Sequence, residues 1–423
     1  MNVKISPCIP NGEIEAISSK SAAHRILICS AFADAQTVIR CDNINKDISA
    51  TADCLSALGA NIEYKPPFFY VTPIKKLPKR AILECNESGS TLRFILPIVS
   101  ALNIEGEFRM NGRLPNRPLS PLYELLVSGG ACLSPQGSNP LISTGGLSGD
   151  GEYKIRGDVS SQFISGLLFA LTFSGLGGKI IIEGKTESAP YIDMTVNALS
   201  LFGAAPTKTT DGYLIQRGAK LISPSSLDIE GDWSNAAFPL CMGVLSHGEI
   251  TLTKLRADSK QGDMQIISIL RRFGADITEH SDRYTVTGTT KLVGTDIDAT
   301  QIPDLVPVLA TVASVASGTT RIYGASRLRL KESDRLETVC QMLSALGADI
   351  CISDDGLVIN GKSHLSGGVV DSCNDHRIAM SAAVAAVACS SDVIITGAEC
   401  ASKSYPDFWT DIKDRLGMNV EFC

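Results

Sequence analysis

MLSALGADI, Met342 to Ile350, is the stretch that decides how this chain is built. With Leu336 and Val339 upstream, Met342, Leu343 and Leu346 fall at helical spacing, and Gly347 then ends the helix where a left-handed residue is needed. The phrase recurs as CLSALGANI, LLVSGGACL, ALSLFGAAP, ILRRFGADI and DRLGMNV, with its glycine at Gly59, Gly130, Gly203, Gly274 and Gly417. Successive glycines lie 70 to 73 residues apart, so the chain reads as six copies of one unit. After the phrase come a strand, a turn and a second strand, as in DICIS and DDGLVING. Between phrases lies a helix apolar on every side, such as SSQFISGLLFALTFSG or NDHRIAMSAAVAAVACSS, and each leads into a short strand such as GKIIIEG. A helix apolar all round is a buried helix. Three such units make a domain of ordinary size, and Ser, Pro and Gly gather in LISPSSLDIEGDWSN between the third and fourth copies. This predicts an α/β protein of two three-unit domains, apolar helices buried in common and sheets turned outward. An open solenoid of six units is the competing arrangement.

Composition narrows the function. The 423 residues carry 38 Lys and Arg against 45 Asp and Glu, a net charge of -7, which argues against broad nucleic-acid binding. An anionic ligand must then be held by cations clustered locally. The opening MNVKISPCIPNGEIEAI has no charged segment followed by an apolar one, and no apolar run reaches the ~18 residues of a membrane span. The 13 cysteines form no C-x-x-C pair and have no His at ligand spacing, which predicts reduced thiols used as small core residues and no metal site.

The distinctive polar residues gather where the buried helices begin, in SSKSAAHRILICSAF, NESGSTLRFILPI, GDVSSQFISGLL, GDWSNAAF, IPDLVPV and NDHRIAMSAA. A helix N-terminus offers unpaired N–H groups and about half a positive charge, and so suits an anion. In a pseudo-threefold domain three such ends point the same way, and two domains facing each other would enclose a cleft lined by six. Lys20, Arg25, Arg93, Arg117, Lys331, Arg335, Arg377 and Lys403 fall on this frame, which implies ligands with several negative charges. In LKESDRLE, Leu330 to Glu337, Asp334 and Glu337 read as a capping box. Arg335 in the first turn opposes the helix dipole, a penalty understandable if it clamps an anion bidentately. Glu332, in the loop ahead of that helix, is a carboxyl available for proton transfer. Taken singly, each motif could be a cap or a surface charge, and His376 a cap residue with an exposed ring; recurrence at equivalent places favours a site.

Nine motifs in order, SKSAAHR, SGSTLR, NRP, SSQFISGLL, SAPYIDMT, IPDLVPVLA, KESDR, NDHRIAM and SKSYPD, span the chain and resemble the 5-enolpyruvylshikimate-3-phosphate synthase family. The resemblance implies two inside-out α/β domains, each of three βαβαββ-type units around buried parallel helices. They would cover 13–226, and 1–12 with 227–423, with a hinge near 11–14 and 226–232. It implies transfer of the enolpyruvyl group of phosphoenolpyruvate to the 5-hydroxyl of shikimate 3-phosphate, by addition and elimination through a tetrahedral intermediate, with release of phosphate. It also implies a cytoplasmic monomer of the shikimate pathway, needing no metal or cofactor and binding neither nucleic acid nor membrane. By motif, Lys20, Ser21, Arg25, Ser160, Ser161, Gln162, Ser188, Tyr191, Asp304 and Lys331 would hold shikimate 3-phosphate. Lys20, Gly89, Arg93, Arg117, Gln162, Arg335, His376, Arg377 and Lys403 would hold phosphoenolpyruvate. Asp304 would be the base near the attacking hydroxyl, with Lys331 and Lys20 in the catalytic set, and Glu332 would protonate the methylene carbon. Gly89 implies sensitivity to glyphosate, whereas Glu87 and Arg327 stand where the family often has asparagine. One rival reading is the related transferase acting on UDP-N-acetylglucosamine, whose loop cysteine has no counterpart in GRLPNRPLSPL. A non-catalytic repeat scaffold would not concentrate cations at equivalent helix starts. An RNA 3'-phosphate cyclase built on related units is disfavoured by the net charge.

Overall fold

The repeat glycines end helices in the computed structural model, which describes residues 1–147, 151–289 and 291–423. All six have φ between +67° and +111°, where a Cβ would cost roughly 1–2 kcal/mol. The helices come in pairs: α1 Lys20–Ala31 with α2 Lys46–Ala57, α3 Gly89–Ala101 with α4 Leu122–Ser128, α5 Ser161–Phe173 with α6 Ala189–Leu201, α7 Trp233–Leu245 with α8 Ile266–Phe273, α9 Val306–Ala313 with α10 Arg335–Ala345, and α11 His376–Ala386 with α12 Phe408–Asp414. The first of each pair is buried along most or all of its length, while the second buries one face. Side chains of Asn45, Ser88, Ser160, Asp232, Asp334 and Asp375 cap α2, α3, α5, α7, α10 and α11.

Each pair belongs to a four-stranded sheet. In the second unit Arg80–Asn86 leads through α3 to the parallel strand Glu105–Met110; α4 then leads to Cys132–Leu133 and the antiparallel strand Leu141–Thr144. Arg80–Asn86 alternates exposed and buried residues, so one face of the sheet meets the helices and the other meets water.

Distant strands complete three of the sheets. Ser226–Asp228 pairs in parallel with Thr37–Arg40, and Gly12–Glu15 with Glu249–Thr253. Val3–Ser6 lies antiparallel between Val393–Thr396 and Asn419–Phe422, filling the place of the last strand of the sixth unit.

The chain forms two compact units, Met1–Ser19 with Glu230–Cys423, and Lys20–Ile229, each with its own apolar core. The boundaries differ from those read in the sequence. A division at 12/13 would cut the strand Gly12–Glu15, and one at 226/227 would cut Ser226–Asp228; pairing keeps each strand whole, so the chain passes over at Ser19/Lys20 and Ile229/Glu230. The thirteen cysteines are free and seven are buried, as small core residues would be. Among the described residues no helix is long and apolar enough to cross a membrane, and no group of His, Cys, Asp or Glu is set to hold a metal.

Candidate functional site

In the unit Lys20–Ile229 the polar starts of α1, α3 and α5 are tied to one another. Lys20, the first residue of α1, lies 3.0 Å from Asp47 in the first turn of α2. Arg25, one turn further, is buried: it donates to Thr195 Oγ1 (2.8 Å), the Ser21 carbonyl (2.6 Å) and the Tyr191 carbonyl (2.9 Å), with Phe94 beneath it. Burial pulls its pKa down to about 10, so it stays a cation at neutral pH. His24 bonds Thr51, which bonds Thr91, whose hydroxyl donates to the cap Ser88, joining α1, α2 and α3. Burial lowers the His24 pKa to about 3, so this link is neutral.

Gly89 opens α3, and a side chain there would push on two arginines. A Cβ would stand 2.7 Å from Nη1 of both Arg93 and Arg117, so the two guanidiniums close over this helix N-terminus and would have to shift for any larger residue. Arg93 donates to Gln162 Oε1 (3.0 Å) and to the Pro118 carbonyl, and Gln162 Nε2 donates to Ser90. Ser160 caps α5 by accepting from the Gln162 N–H; Ser161 and Ser188 are buried at the starts of α5 and α6, Ser188 with φ +53°. Pro97 in α3 has no N–H for the Arg93 carbonyl, and Gly166 of α5 packs where a Cβ would collide with that carbonyl. This close approach brings Arg93 to Gln162.

In the other unit, Arg335 is 1% exposed and its guanidinium is shared among three carboxylates. It grips Asp375 bidentately (2.8 and 3.2 Å) and donates to Asp304 (2.9 Å) and Glu332 (2.8 Å). The anion inferred for this arginine is thus, in this structure, supplied by the protein. Asp375 is fully buried, caps α11 through the Arg377 N–H (3.0 Å) and also accepts from Ser333 (2.9 Å). Asp304, in the turn before α9, has Lys331 Nζ at 3.3 Å and Arg377 Nη2 at 3.4 Å. Burial opposes its charge, but Arg377, Lys331 and Arg335 outweigh burial and hold the carboxyl well below the usual carboxylate range. Burial also lowers the Lys331 pKa against the pull of Asp304. Arg377 donates to the Asp304 carbonyl (3.0 Å) and to Ser234 Oγ (2.7 Å), so it joins α7, α9 and α11.

Asp334 caps α10 as the sequence suggested, but the Glu337 carboxylate lies 3.8 Å from Arg329. His376 is buried at the start of α11 and does not expose its ring. Lys403 is buried at the end of the turn Ala398–Lys403. Arg327 donates to the Thr300 carbonyl, four residues before Asp304. Sequence reasoning missed Asp47, Asp375 and Asp263 as partners of the cations. Asp375, inside NDHR, was the accessible one, since a capping acid beside an arginine is a local signal; Asp47 and Asp263 reach their partners only through the fold.

The profile of the EPSP synthase (3-phosphoshikimate 1-carboxyvinyltransferase) family matches residues 9–412. The chain is 40% identical to the 3-phosphoshikimate 1-carboxyvinyltransferase of Clostridium kluyveri over 99% of its length and 98% of the relative's. It is also 40% identical to the enzyme of the same name from Clostridium novyi, over 100% and 99%. Among solved structures it resembles EPSP synthase from Acinetobacter baumannii, with a TM-score of 0.82 and 24% identity over the whole of both chains. It also resembles the enolpyruvyl transferase NikO from Streptomyces tendae, with a TM-score of 0.79 and 17% identity over 99% and 98%.

Proposed function

The chain belongs to the EPSP synthase family, and from that premise we propose how its residues divide the reaction. The enzyme transfers the enolpyruvyl group of phosphoenolpyruvate to the 5-hydroxyl of shikimate 3-phosphate and releases phosphate, in aromatic amino-acid biosynthesis. Addition and elimination require one proton to leave the hydroxyl and another to reach the methylene carbon. Asp304, ionised and flanked by Lys331, would take the proton of the hydroxyl. Glu332 would deliver the second proton, its carboxyl oriented by Arg335.

Arg25, Ser21, Ser160, Ser161, Gln162, Ser188 and Tyr191 would hold shikimate 3-phosphate, while Lys20, Gly89, Arg93, Arg117, Arg377 and Lys403, with Gln162 and His376, would hold phosphoenolpyruvate. The Gly89 cradle suits a phosphate, because two guanidiniums and a helix N-terminus meet there. Arg335 would meet phosphoenolpyruvate only by exchanging a carboxylate for it. The cations around Asp304 would stabilise the charge of the departing phosphate.

The observation that carries this reading is Asp304 held ionised among Lys331, Arg335 and Arg377, with Glu332 on the same guanidinium. The test is phosphate release from phosphoenolpyruvate in the presence of shikimate 3-phosphate or UDP-N-acetylglucosamine. Release with shikimate 3-phosphate alone, and a fall of about 100-fold or more in kcat for Glu332→Gln, is expected. Release with the nucleotide sugar alone would move the chain to the rival substrate, and a Glu332→Gln variant with normal kcat would remove Glu332 from proton transfer.

A further inference from the structure

A second polar layer lies one turn below the starts of α1, α5 and α6. Arg25, Ser165 and Thr195 each follow by four residues a side chain already placed at the site, Ser21, Ser161 and Tyr191. Ser165 and Thr195 are fully buried, and neither has a role above. Thr195 Oγ1 accepts from Arg25 Nε at 2.8 Å and donates to Ser165 Oγ at 2.8 Å, with the Tyr191 carbonyl further off at 3.2 Å. A hydroxyl has one proton; given to Ser165, it leaves the Thr195 lone pairs facing the guanidinium. The Phe94 ring centroid lies 5.1 Å from that guanidinium and fixes its plane, while the bond to Thr195 fixes its rotation within the plane. The other acceptors of Arg25, the Ser21 and Tyr191 carbonyls, are backbone, so Thr195 is the side chain that sets where the cation points. Three of the five N–H groups of Arg25 go to neutral oxygens, and among the described residues no carboxylate pairs with it. Arg335, by contrast, is shared among three carboxylates. A buried cation held by neutral dipoles alone adds little to stability and is a ready partner for an incoming anion.

We propose that Thr195, anchored by Ser165, is a positioning residue that aims Arg25 at shikimate 3-phosphate, and so sets affinity for the acceptor substrate and not for phosphoenolpyruvate. The assignment rests on the function stated above. Without the Thr195 hydroxyl, Nε–H would be buried with no acceptor. The guanidinium would then turn to find one, carrying the two N–H groups left for the anion out of place. Among the described residues, the bonds of Thr195 run to Arg25, Ser165 and Tyr191 and not to Arg93 or Arg117, so its loss leaves the Gly89 cradle as it was.

The experiment compares wild type, Thr195→Val, Thr195→Ser and Ser165→Ala by phosphate release, varying each substrate in turn at saturation of the other. Valine keeps the branched shape and loses the hydroxyl, whereas serine keeps the hydroxyl. Thr195→Val is expected to raise KM for shikimate 3-phosphate about tenfold, with KM for phosphoenolpyruvate and kcat within about twofold of wild type. Thr195→Ser should bring KM for shikimate 3-phosphate back to within about threefold of wild type. Ser165→Ala should raise it only about twofold, since the Thr195 proton can turn to the Tyr191 carbonyl. An unchanged KM for shikimate 3-phosphate in Thr195→Val, a rise of both KM values together, or a Thr195→Ser variant no better than Thr195→Val would overturn the proposal. If Thr195→Val fails to fold, Thr195→Ala is compared with Thr195→Ser in its place, equal KM values for shikimate 3-phosphate counting against the assignment. A wild type silent with shikimate 3-phosphate would overturn the function reading instead.

Discussion

Arg335 and the acids around it set what single substitutions can do. Removing its guanidinium would leave Asp304, Glu332 and Asp375 facing one another with little water to screen them. Arg335→Ala is expected to lower the unfolding free energy by about 3–5 kcal/mol, and Arg335→Lys to recover little, because an ammonium cannot span three carboxylates; urea unfolding measures both. The acids also predict two opposite pH trends in stability. Arg335 outweighs burial to depress Asp375, and Arg377, Lys331 and Arg335 do so for Asp304; the stability these acids add is present above the unfolded value of 3.8 and lost as pH falls below it. Asp263 runs the other way: raised from 3.8 to about 6, it weakens the fold as pH rises through that window. Asp263→Asn is therefore expected to stabilise the protein at pH 7.5 by up to about 3 kcal/mol, a gain mostly gone by pH 4. Unfolding curves at the two pH values check the sign.

At the scale of elements, function depends on how closely helix starts approach one another. Gly89→Ala would press a methyl into two guanidiniums at the head of α3, so KM for phosphoenolpyruvate is expected to rise about tenfold with little change in unfolding free energy. Gly166→Ala acts lower down, against the Arg93 carbonyl that Pro97 leaves without its helical N–H. It should cost about 1–3 kcal/mol in urea unfolding, because α3 and α5 must move apart, and should loosen Arg93 from Gln162. The repeat glycines give a contrast within one motif. A Cβ at Gly417 meets nothing within 4 Å, so Gly417→Ala should cost only the backbone penalty of roughly 1 kcal/mol. At Gly347 it would also meet Ser366 Oγ at 2.8 Å, so Gly347→Ala should cost more.

For the whole molecule, the three sheets of Lys20–Ile229 draw all their strands from within that segment, whereas two sheets of the other unit need Val3–Ser6 and Gly12–Glu15. Residues 20–229 expressed alone are expected to melt cooperatively, and 230–423 alone to stay unfolded or aggregate through open strand edges, as circular dichroism and light scattering would report. Sequence alone determined the six-fold repeat, the buried and amphipathic helices and the cations at helix starts, because helical period, left-handed glycine and capping are local and recur at Gly59 through Gly417. KESDR and NDHR were legible as charged starts of α10 and α11 for the same reason. Only the tertiary structure decided which strand closes which sheet, since hydrogen bonds between Val3–Ser6 and Val393–Thr396 leave no mark on either stretch. It alone also decided that Arg335 is gripped by three carboxylates. Charges interact across space at distances of a few ångströms, and residues 304, 335 and 377 meet there only after three helix starts have been packed together.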